Sequence, residues 1–521
     1  MNLEPVDIIV FFSYCLLIIG IGLFVSRRKK GELQTSKDYF LANKSLPWWA
    51  IGSSLIASNI SAEQFIGMSG SGFAIGLGIA TYEWMAAATL LVVAKFFLPI
   101  FIKKDIYTMP QFLEVRFDTR VRTSLAIFWI LLYVFVNLTS VLYLSALALK
   151  VIMGVDLIYG IIALAVFSAV YSIYGGLKAV AWTDVVQVVF LIGGGLVTTY
   201  LAVTAVGGGN GLFAGFARLY EEAPQKFDMI LSQDHPSYKF LPGISVLVGG
   251  MWIANLNYWG CNQYIIQRAL AAKSLKEAQR GLSFAAYLKI LLPLIIVIPG
   301  IAAFVLDADL NKSDDAYPWL LNNFVPVGLK GLAFAALIAA AVSSLSSMIN
   351  STSTIFTLDL YKNYFNKDAS EKNLVTTGRI VSAIALFIAV LVAPQLASLD
   401  QAFQFIQDYT GYISPAIVAI FLFGLFWKKA TANAALGAAI VAIPVSLALS
   451  YFFPEMPFLD RMGAAFLVLS VVIIGISLYE GKGDSEKAIE IDKSLFHTGT
   501  AFNVSAIGIL GILAFLYAMF W

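Results

Sequence analysis

Charge is scarce in this chain. Only 13% of its 521 residues are Asp, Glu, Lys or Arg, and 59% are hydrophobic; soluble domains carry roughly 25% charge. An ordinary soluble enzyme is excluded, and a polytopic helical membrane protein is implied. The net charge is +2, so no polyanion and no nucleic acid is called for as a partner. Histidine is nearly missing. His235 and His497 both fall in polar loops, leaving almost no material for a histidine relay or metal centre. Cysteine is equally rare: Cys15 and Cys261 lie inside apolar runs, where neither a disulfide nor a metal site is expected. There is no GxxxxGK[ST] phosphate loop, so nothing marks nucleotide hydrolysis. No nucleophile–base pair is visible either, and no enzyme is expected. No obligatory protein partner is implied.

What the chain does have is long apolar runs. A bilayer span needs about 20 such residues, and fourteen candidates follow: 7–26, 48–75, 77–102, 121–153, 157–174, 178–206, 243–267, 281–306, 328–362, 374–394, 398–427, 432–452, 458–480 and 500–521. The first run follows MNLEP, which has no positive charge, and precedes Arg27, Arg28, Lys29 and Lys30. That order is the reverse of a signal peptide and predicts a retained helix with its N-terminus outside. Fourteen spans then put the C-terminus outside too. The loops 27–47, 103–120, 175–177, 268–280, 363–373, 428–431 and 481–499 become internal. They and the adjoining helix ends collect 25 Lys and Arg, against 7 on the outer side, with Lys95 and Lys289 inside the membrane. This is the bias of the positive-inside rule. The outer connections 207–242 and 307–327 carry Asp and Glu and are expected to reach water freely.

The segment 48–75, WWAIGSSLIASNISAEQFIGMSGSGFAI, is long enough to span, but its middle is wrong for lipid. Asn59, Ser61, Glu63 and Gln64 stand at mid-depth, with Gly67, Gly70 and Gly72 behind them. A carboxylate at the bilayer centre costs at least ~2.5 kcal/mol. The pattern predicts a broken helix whose opened backbone and polar side chains face a ligand; the alternative is a polar cluster that only glues helices together. A second interrupted run, 243–267, holds Asn255, Asn257, Tyr258, Trp259, Asn262 and Gln263 among Gly249, Gly250 and Gly260. The two head blocks of five helices, 48–206 and 243–427, separated by the outer loop 207–242. Residues 1–47 add one helix and a cytoplasmic loop, and 428–521 add three helices. Interrupted helices at matching positions in two halves point to an inverted-repeat secondary transporter. Asn137, Thr139 and Ser140 read as helix glue, and Lys95 as a snorkelling lysine. No arginine is expected at mid-membrane depth.

The stretch GGLKAVAWTDVVQ (175–187) resembles the signature of the sodium:solute symporter family. SLIASNISAEQFIGMSGSG, YEWMA, NLTSVLYL, NLNYWGCNQYIIQR and FQFIQDYTGYISP resemble its sugar branch. The resemblance runs from the first helix to the aromatic tail, with its main gap near 307–315. It implies an all-α, leucine-transporter-like 5+5 inverted-repeat core with discontinuous first core helices, one helix before the core and three after. It also implies sodium-coupled uptake of a hexose, galactose or glucose, by alternating access across a bacterial inner membrane. The same mechanism with myo-inositol, sialic acid or proline as cargo is the alternative.

On that resemblance the sodium site falls on Ala57, Ile60, Ala340, Ser343 and Ser344, all oxygen donors suited to a hard cation. By themselves Ser343 and Ser344, in the run AAAVSSLSSMINSTST, read equally as small residues for tight packing. Ser343, Ser346 and Ser347 share one helix face by their i, i+3, i+4 spacing, and with Asp184 they outline a second sodium seat; galactose-carrying members have alanine at Ser346. The sugar pocket falls on Gln64, Glu83, Asn255, Lys289 and Gln407, with Asn59 beside them. Tyr258 stacks on the sugar as inner gate, Trp259 and Tyr82 wall it, and Met68 and Phe403 close the outer side. Glu83 and Lys289 offset each other's charge, or form a purely structural ion pair. Ala86 stands where the galactose carriers have serine, which removes one hydroxyl contact.

Overall fold

The structure, a computed structural model, describes residues 4–27, 34–61, 63–310, 312–398, 407 and 410–521. Phe403 lies outside the described residues, as does the side chain of Glu63. Among the described residues there is no β-strand, only an isolated bridge between Leu46 and Ala272.

In chain order the helices are α1 (Pro5–Val25), then α2 (Trp48–Asn59) and α3 (Ser69–Ala74), the two parts of the first broken segment. There follow α4 (Leu77–Lys103), α5 (Met109–Arg116), α6 (Thr119–Lys150), α7 (Leu157–Val206) and, in the outer connection, α8 (Leu212–Glu222). The second broken segment contains α9 (Gly250–Leu256) and α10 (Gln263–Leu270). The rest are α11 (Leu275–Val305), α12 (Ala316–Phe324), α13 (Leu329–Phe365), α14 (Glu371–Leu396), α15 (Ser414–Phe426), α16 (Ala432–Phe452), α17 (Phe458–Glu480) and α18 (Thr500–Met519). Ten helical stretches among the described residues are long and apolar enough to cross a bilayer; Leu157–Val170 and Ser414–Phe426 are shorter apolar helices.

Local chemistry sets the helix ends. Thr108, Asp118, Ser274, Ser370 and Thr431 each accept the backbone N–H three residues on, satisfying a donor that a helix start leaves orphaned. The expected turn between 157–174 and 178–206 falls at Gly176, whose φ of 62° lies in the left-handed region. A Cβ there would sit 2.3 Å from the Tyr39 carbonyl oxygen, so glycine is required twice over.

The pillar of the bundle is α13. Of its apolar stretch 94% is buried, against 17% for α18. It packs on α7, α1, α2 and α10. Its N-terminal end is held by the buried Asp7 of α1, whose carboxylate accepts the N–H groups of Gly328 and Gly331, each at 2.7 Å. Against this pillar leans α2, and both α2 and α3 pack along α11. The approach of α3 to α11 is close: a Cβ on Gly300 would lie 2.0 Å from the Ser69 carbonyl oxygen.

The chain enters the first broken segment beside the place where it leaves the second. Leu46 N–H donates to Ala271 O at 3.1 Å, and Lys273 N–H to Leu46 O at 3.2 Å. The first break lies between α2 and a π-helical turn, Glu63–Met68; the second follows a π-helical turn, Asn257–Cys261. The order of helix, break and π-turn is thus reversed between them.

The connections 207–242 and 307–327, expected to reach water freely, also dock on α3. Lys226 in the 207–242 connection donates to the Phe73 and Ala74 carbonyls at 2.8 and 2.7 Å, capping the end of α3. In the 307–327 connection Asp314 presses on Gly70, where a Cβ would meet its Oδ1 at 2.7 Å. Burial, and next the neighbouring Asp315, push the Asp314 carboxyl up to about 6. A raised carboxyl favours the protonated, docked loop, so docking should tighten as pH falls through 6 and loosen above it. Hydrogen exchange over residues 312–324 should accordingly slow several-fold between pH 7.5 and 5 after correction for intrinsic rates. In Asp314→Asn it should be slow and flat across that range.

Candidate functional site

The first break is built by two residues. Ile60, at φ −77° and ψ 114°, leaves the helical region. Ser61 then turns its N–H and Oγ to Gln64 Oε1, both at 3.0 Å. Because α2 stops here, its last carbonyls have no helical donor ahead of them. The second break is its counterpart: Asn262, at φ −86° and ψ 123°, is extended, and its Oδ1 accepts the Tyr133 hydroxyl.

Between the breaks lies a cavity of about 110 Å³. Asn59, Gln64, Met68, Tyr82, Glu83, Asn255, Tyr258, Trp259, Lys289 and Gln407 all line it. These are the expected sugar and gate positions, apart from Phe403, which lies outside the described residues. Lys289 donates to Glu83, and both are buried. The Lys289 ammonium also stands 5.1 Å over the Trp259 ring. Asn59 Nδ2 donates to the Tyr258 hydroxyl at 3.0 Å, which ties the two broken segments together across the cavity. The Tyr258 ring meets Trp259 and Tyr264 edge-on at 5.2 and 5.7 Å between centroids. The lining thus offers amide, carboxylate and ammonium groups beside flat aromatic faces.

Several lining residues were not expected. Asn137, read from sequence as helix glue, faces the cavity, and its Oδ1 has no hydrogen-bond partner. Its mid-helix polarity was the available signal. Phe458 and Met462 reach the cavity from α17, beyond the two five-helix blocks, and no sequence feature marks them. Ala86 lines the cavity and brings no hydroxyl.

At the edge of the same cavity, Ser344 Oγ donates to Ser58 O at 3.0 Å and to Ile60 O at 3.4 Å. The hydroxyls of α13 therefore face the open end of α2. Ala57, Ile60, Ala340, Ser343 and Ser344 are all buried there. The donors are hydroxyls and carbonyls, the set a hard cation takes. Among the described residues no group of three His, Cys, Asp or Glu converges, so the pattern is not that of a transition-metal centre.

Deeper still lies a fully buried polar knot. Asp184 of α7 accepts Ser343 Oγ on Oδ1 at 2.5 Å, and Ser54 and Ser58 Oγ on Oδ2 at 2.5 and 3.4 Å. Ser347 Oγ donates to Ser343 O at 2.7 Å and lies 2.9 Å from Ser58 Oγ; Ser346 is buried on the same helix. Arg268 enters this knot. Its Nε donates to Ser54 Oγ at 2.9 Å, its Nη2 to Ser347 Oγ, and its Nη1 to Tyr264 O. Arg268, counted from sequence with the inner-loop charges, is buried completely within the protein. It sits on α10, which folds back against α2 and α13 rather than ending the span. It does not line the cavity.

The Sodium:solute symporter family model matches residues 39–442. The sodium/glucose cotransporter of Vibrio parahaemolyticus is 55% identical over all of this chain and 99% of its own length. The human sodium/myo-inositol cotransporter 2 is 36% identical over 86% of this chain and 70% of its own. Among solved structures, a Na+-coupled sialic acid symporter in a substrate-bound outward-open state matches with a TM-score of 0.80 and 25% identity, over 91% of this chain and 98% of that one. A nucleobase-cation-symport-1 family transporter matches with a TM-score of 0.58 and 14% identity, over 88% and 98%, which speaks to the fold alone. The helical arrangement shared with these carriers is leucine-transporter-like.

Proposed function

Since the chain belongs to the sodium:solute symporter family, we propose that it takes up a hexose, galactose or glucose, together with sodium, by alternating access. It is a multi-pass membrane carrier and not an enzyme. One observation carries the reading: a single cavity joins both helix breaks, and the oxygen cluster at its edge links the first break to the pillar α13. In this reading the core is two inverted five-helix repeats, 48–206 and 243–427, within fourteen spans. Both termini face outside, and the chain sits in a bacterial inner membrane. Sodium is held by the carbonyls of Ala57, Ile60 and Ala340 and the hydroxyls of Ser343 and Ser344. Filling that seat fixes α2 against α13 and shapes the sugar pocket of Asn59, Gln64, Glu83, Asn255, Lys289 and Gln407.

The driving force suffices without ATP. One charge crossing 100 mV yields ~2.3 kcal/mol, and a tenfold sodium gradient adds ~1.4 kcal/mol. The total supports a sugar gradient of roughly 500-fold. Acidic cargo is disfavoured, because among the described lining residues there is no arginine. Myo-inositol is the second reading, favoured by the 36% identical relative named for that substrate.

Saturable, sodium-dependent uptake in proteoliposomes, challenged with a panel of unlabelled hexoses and myo-inositol, tests the reading. Galactose or glucose should compete best; best competition by myo-inositol selects the second reading, and uptake indifferent to sodium rejects both. Tyr258→Ala should speed release of preloaded sugar at least several-fold through the inner side, by removing a gate ring. Tyr258→Phe, which keeps the ring and loses the hydroxyl that accepts from Asn59 (~0.5–1.5 kcal/mol for such a bond), should change it less. Unchanged exit in Tyr258→Ala would remove the gate role.

A further inference from the structure

Among the described lining residues of the cavity, only Phe458 and Met462 come from outside the two five-helix blocks. They stand on the first turns of α17, beside Gln407 and Gly411. We propose that the Phe458 ring sets the size limit of the cargo. It closes the cavity next to Gln407, so that a single unsubstituted sugar or polyol ring fits and one with a bulky substituent on that side does not. The inference rests on the sodium-coupled sugar transport argued above and narrows the substrate class of that same site.

Three observations support it. First, the ring is pressed onto Gly411. A Cβ there would lie 2.3 Å from Phe458 Cε2 and 2.4 Å from Cζ, so the ring approaches this closely only because residue 411 has no side chain. Second, the backbone behind the ring cannot retreat. A Cβ on Gly250 would lie 2.0 Å from Leu459 O, which puts the start of α9 in contact with the main chain of α17. Ser245 Oγ donates to Asp460 Oδ1 at 2.6 Å, and Leu459 and Met462 are buried. On the other side Ser446 Oγ of α16 donates to Tyr412 O at 2.8 Å and fixes the chain next to Gly411. A substituent therefore meets a wall that does not yield, and close-packed interiors resist such overpacking. Third, Phe458 and Met462 bring no hydrogen-bonding group to offset a clash, unlike Gln407 beside them. The same pair and Gly411 also border a recess of about 20 Å³ with Tyr412, Ser446 and Arg461. Trimming the ring would join that recess to the cavity and make room for the substituent.

The test uses proteoliposomes of the full-length protein and labelled galactose, glucose or myo-inositol, whichever the wild type accumulates best. Uptake is inhibited with the same compound carrying one O-benzyl group, placed at each ring hydroxyl in turn. The readout is the ratio of inhibition constants, derivative to unmodified compound, which does not depend on how much protein is folded. In the wild type the derivatives blocked by the ring should inhibit poorly. Phe458→Ala should lower the ratio roughly tenfold or more at one position or two adjacent ones, and leave it unchanged at the others. Gly411→Ala, which pushes the ring into the cavity, should raise the half-saturation for the unmodified cargo, and Gly411→Ala/Phe458→Ala should restore it. Ratios that stay as in the wild type in Phe458→Ala, or fall equally at every position, overturn the proposal. So does a Gly411→Ala defect that persists once the ring is gone. Where Phe458→Ala does not fold, Phe458→Leu carries the same expectation, and unchanged ratios in it count equally against the proposal. A wild type with no sodium-dependent uptake of any of the three compounds would instead overturn the transport function on which the inference rests.

Discussion

Lys289→Met is expected to abolish sugar accumulation and to lower the melting temperature of the purified protein, while Glu83→Gln/Lys289→Met recovers the stability and not the transport. Lys289 and Glu83 are paired at the cavity wall and both are buried. Removing one partner leaves an isolated charge in a low-dielectric site, which costs about 3–5 kcal/mol, whereas removing both is far milder. Each group also presents hydrogen-bonding capacity to the cavity, which a neutral polyol would use and which the double variant no longer offers in charged form. Thermal unfolding and sugar uptake, measured on the same preparations, separate the two effects. Full uptake by the double variant would make the pair purely structural. Wild-type uptake and stability in Lys289→Met would remove it from the account altogether.

Ser344→Ala is expected to raise the sodium concentration for half-maximal uptake by roughly tenfold to hundredfold, taking ~1.5–3 kcal/mol as the worth of a polar contact to a charge. The maximal rate should return at high sodium. Ser344 Oγ stands 3.0 Å from Ser58 O and 3.4 Å from Ile60 O, so its loss removes a ligand and loosens α13 from the end of α2. Sodium titrations of initial uptake rate check this, and an unchanged half-saturation would exclude Ser344 from the sodium seat. Ser343→Ala should be more damaging, since it also takes a donor from Asp184.

Much of this was legible because a membrane makes polar residues conspicuous. Asn59, Gln64, Glu83, Asn255, Lys289 and Gln407 interrupt long apolar runs, and all six face one cavity. The breaks themselves were readable from asparagine, serine and glycine gathered at mid-span. What stayed hidden has physical reasons. Arg268 follows an apolar run and precedes a basic loop, so its charge reads as the end of a span; only the fold of α10 against α2 and α13 shows that it is buried. Phe458 and Met462 are ordinary apolar residues on an apolar helix, and their place at the cavity depends on packing between α17 and α9. Asp314 looks like a solvated loop acid because nothing local reveals that it docks on Gly70.

In the proposed mechanism the sugar cavity and the sodium seat share the opened end of α2, so each ligand should strengthen the other. Equilibrium binding of labelled galactose or glucose to the detergent-purified protein, with and without sodium at matched ionic strength, tests that most directly. Sugar affinity should be at least tenfold tighter in sodium, and saturating sugar should tighten sodium binding by the same factor. Sugar affinity that is equal in sodium and in its absence would contradict it.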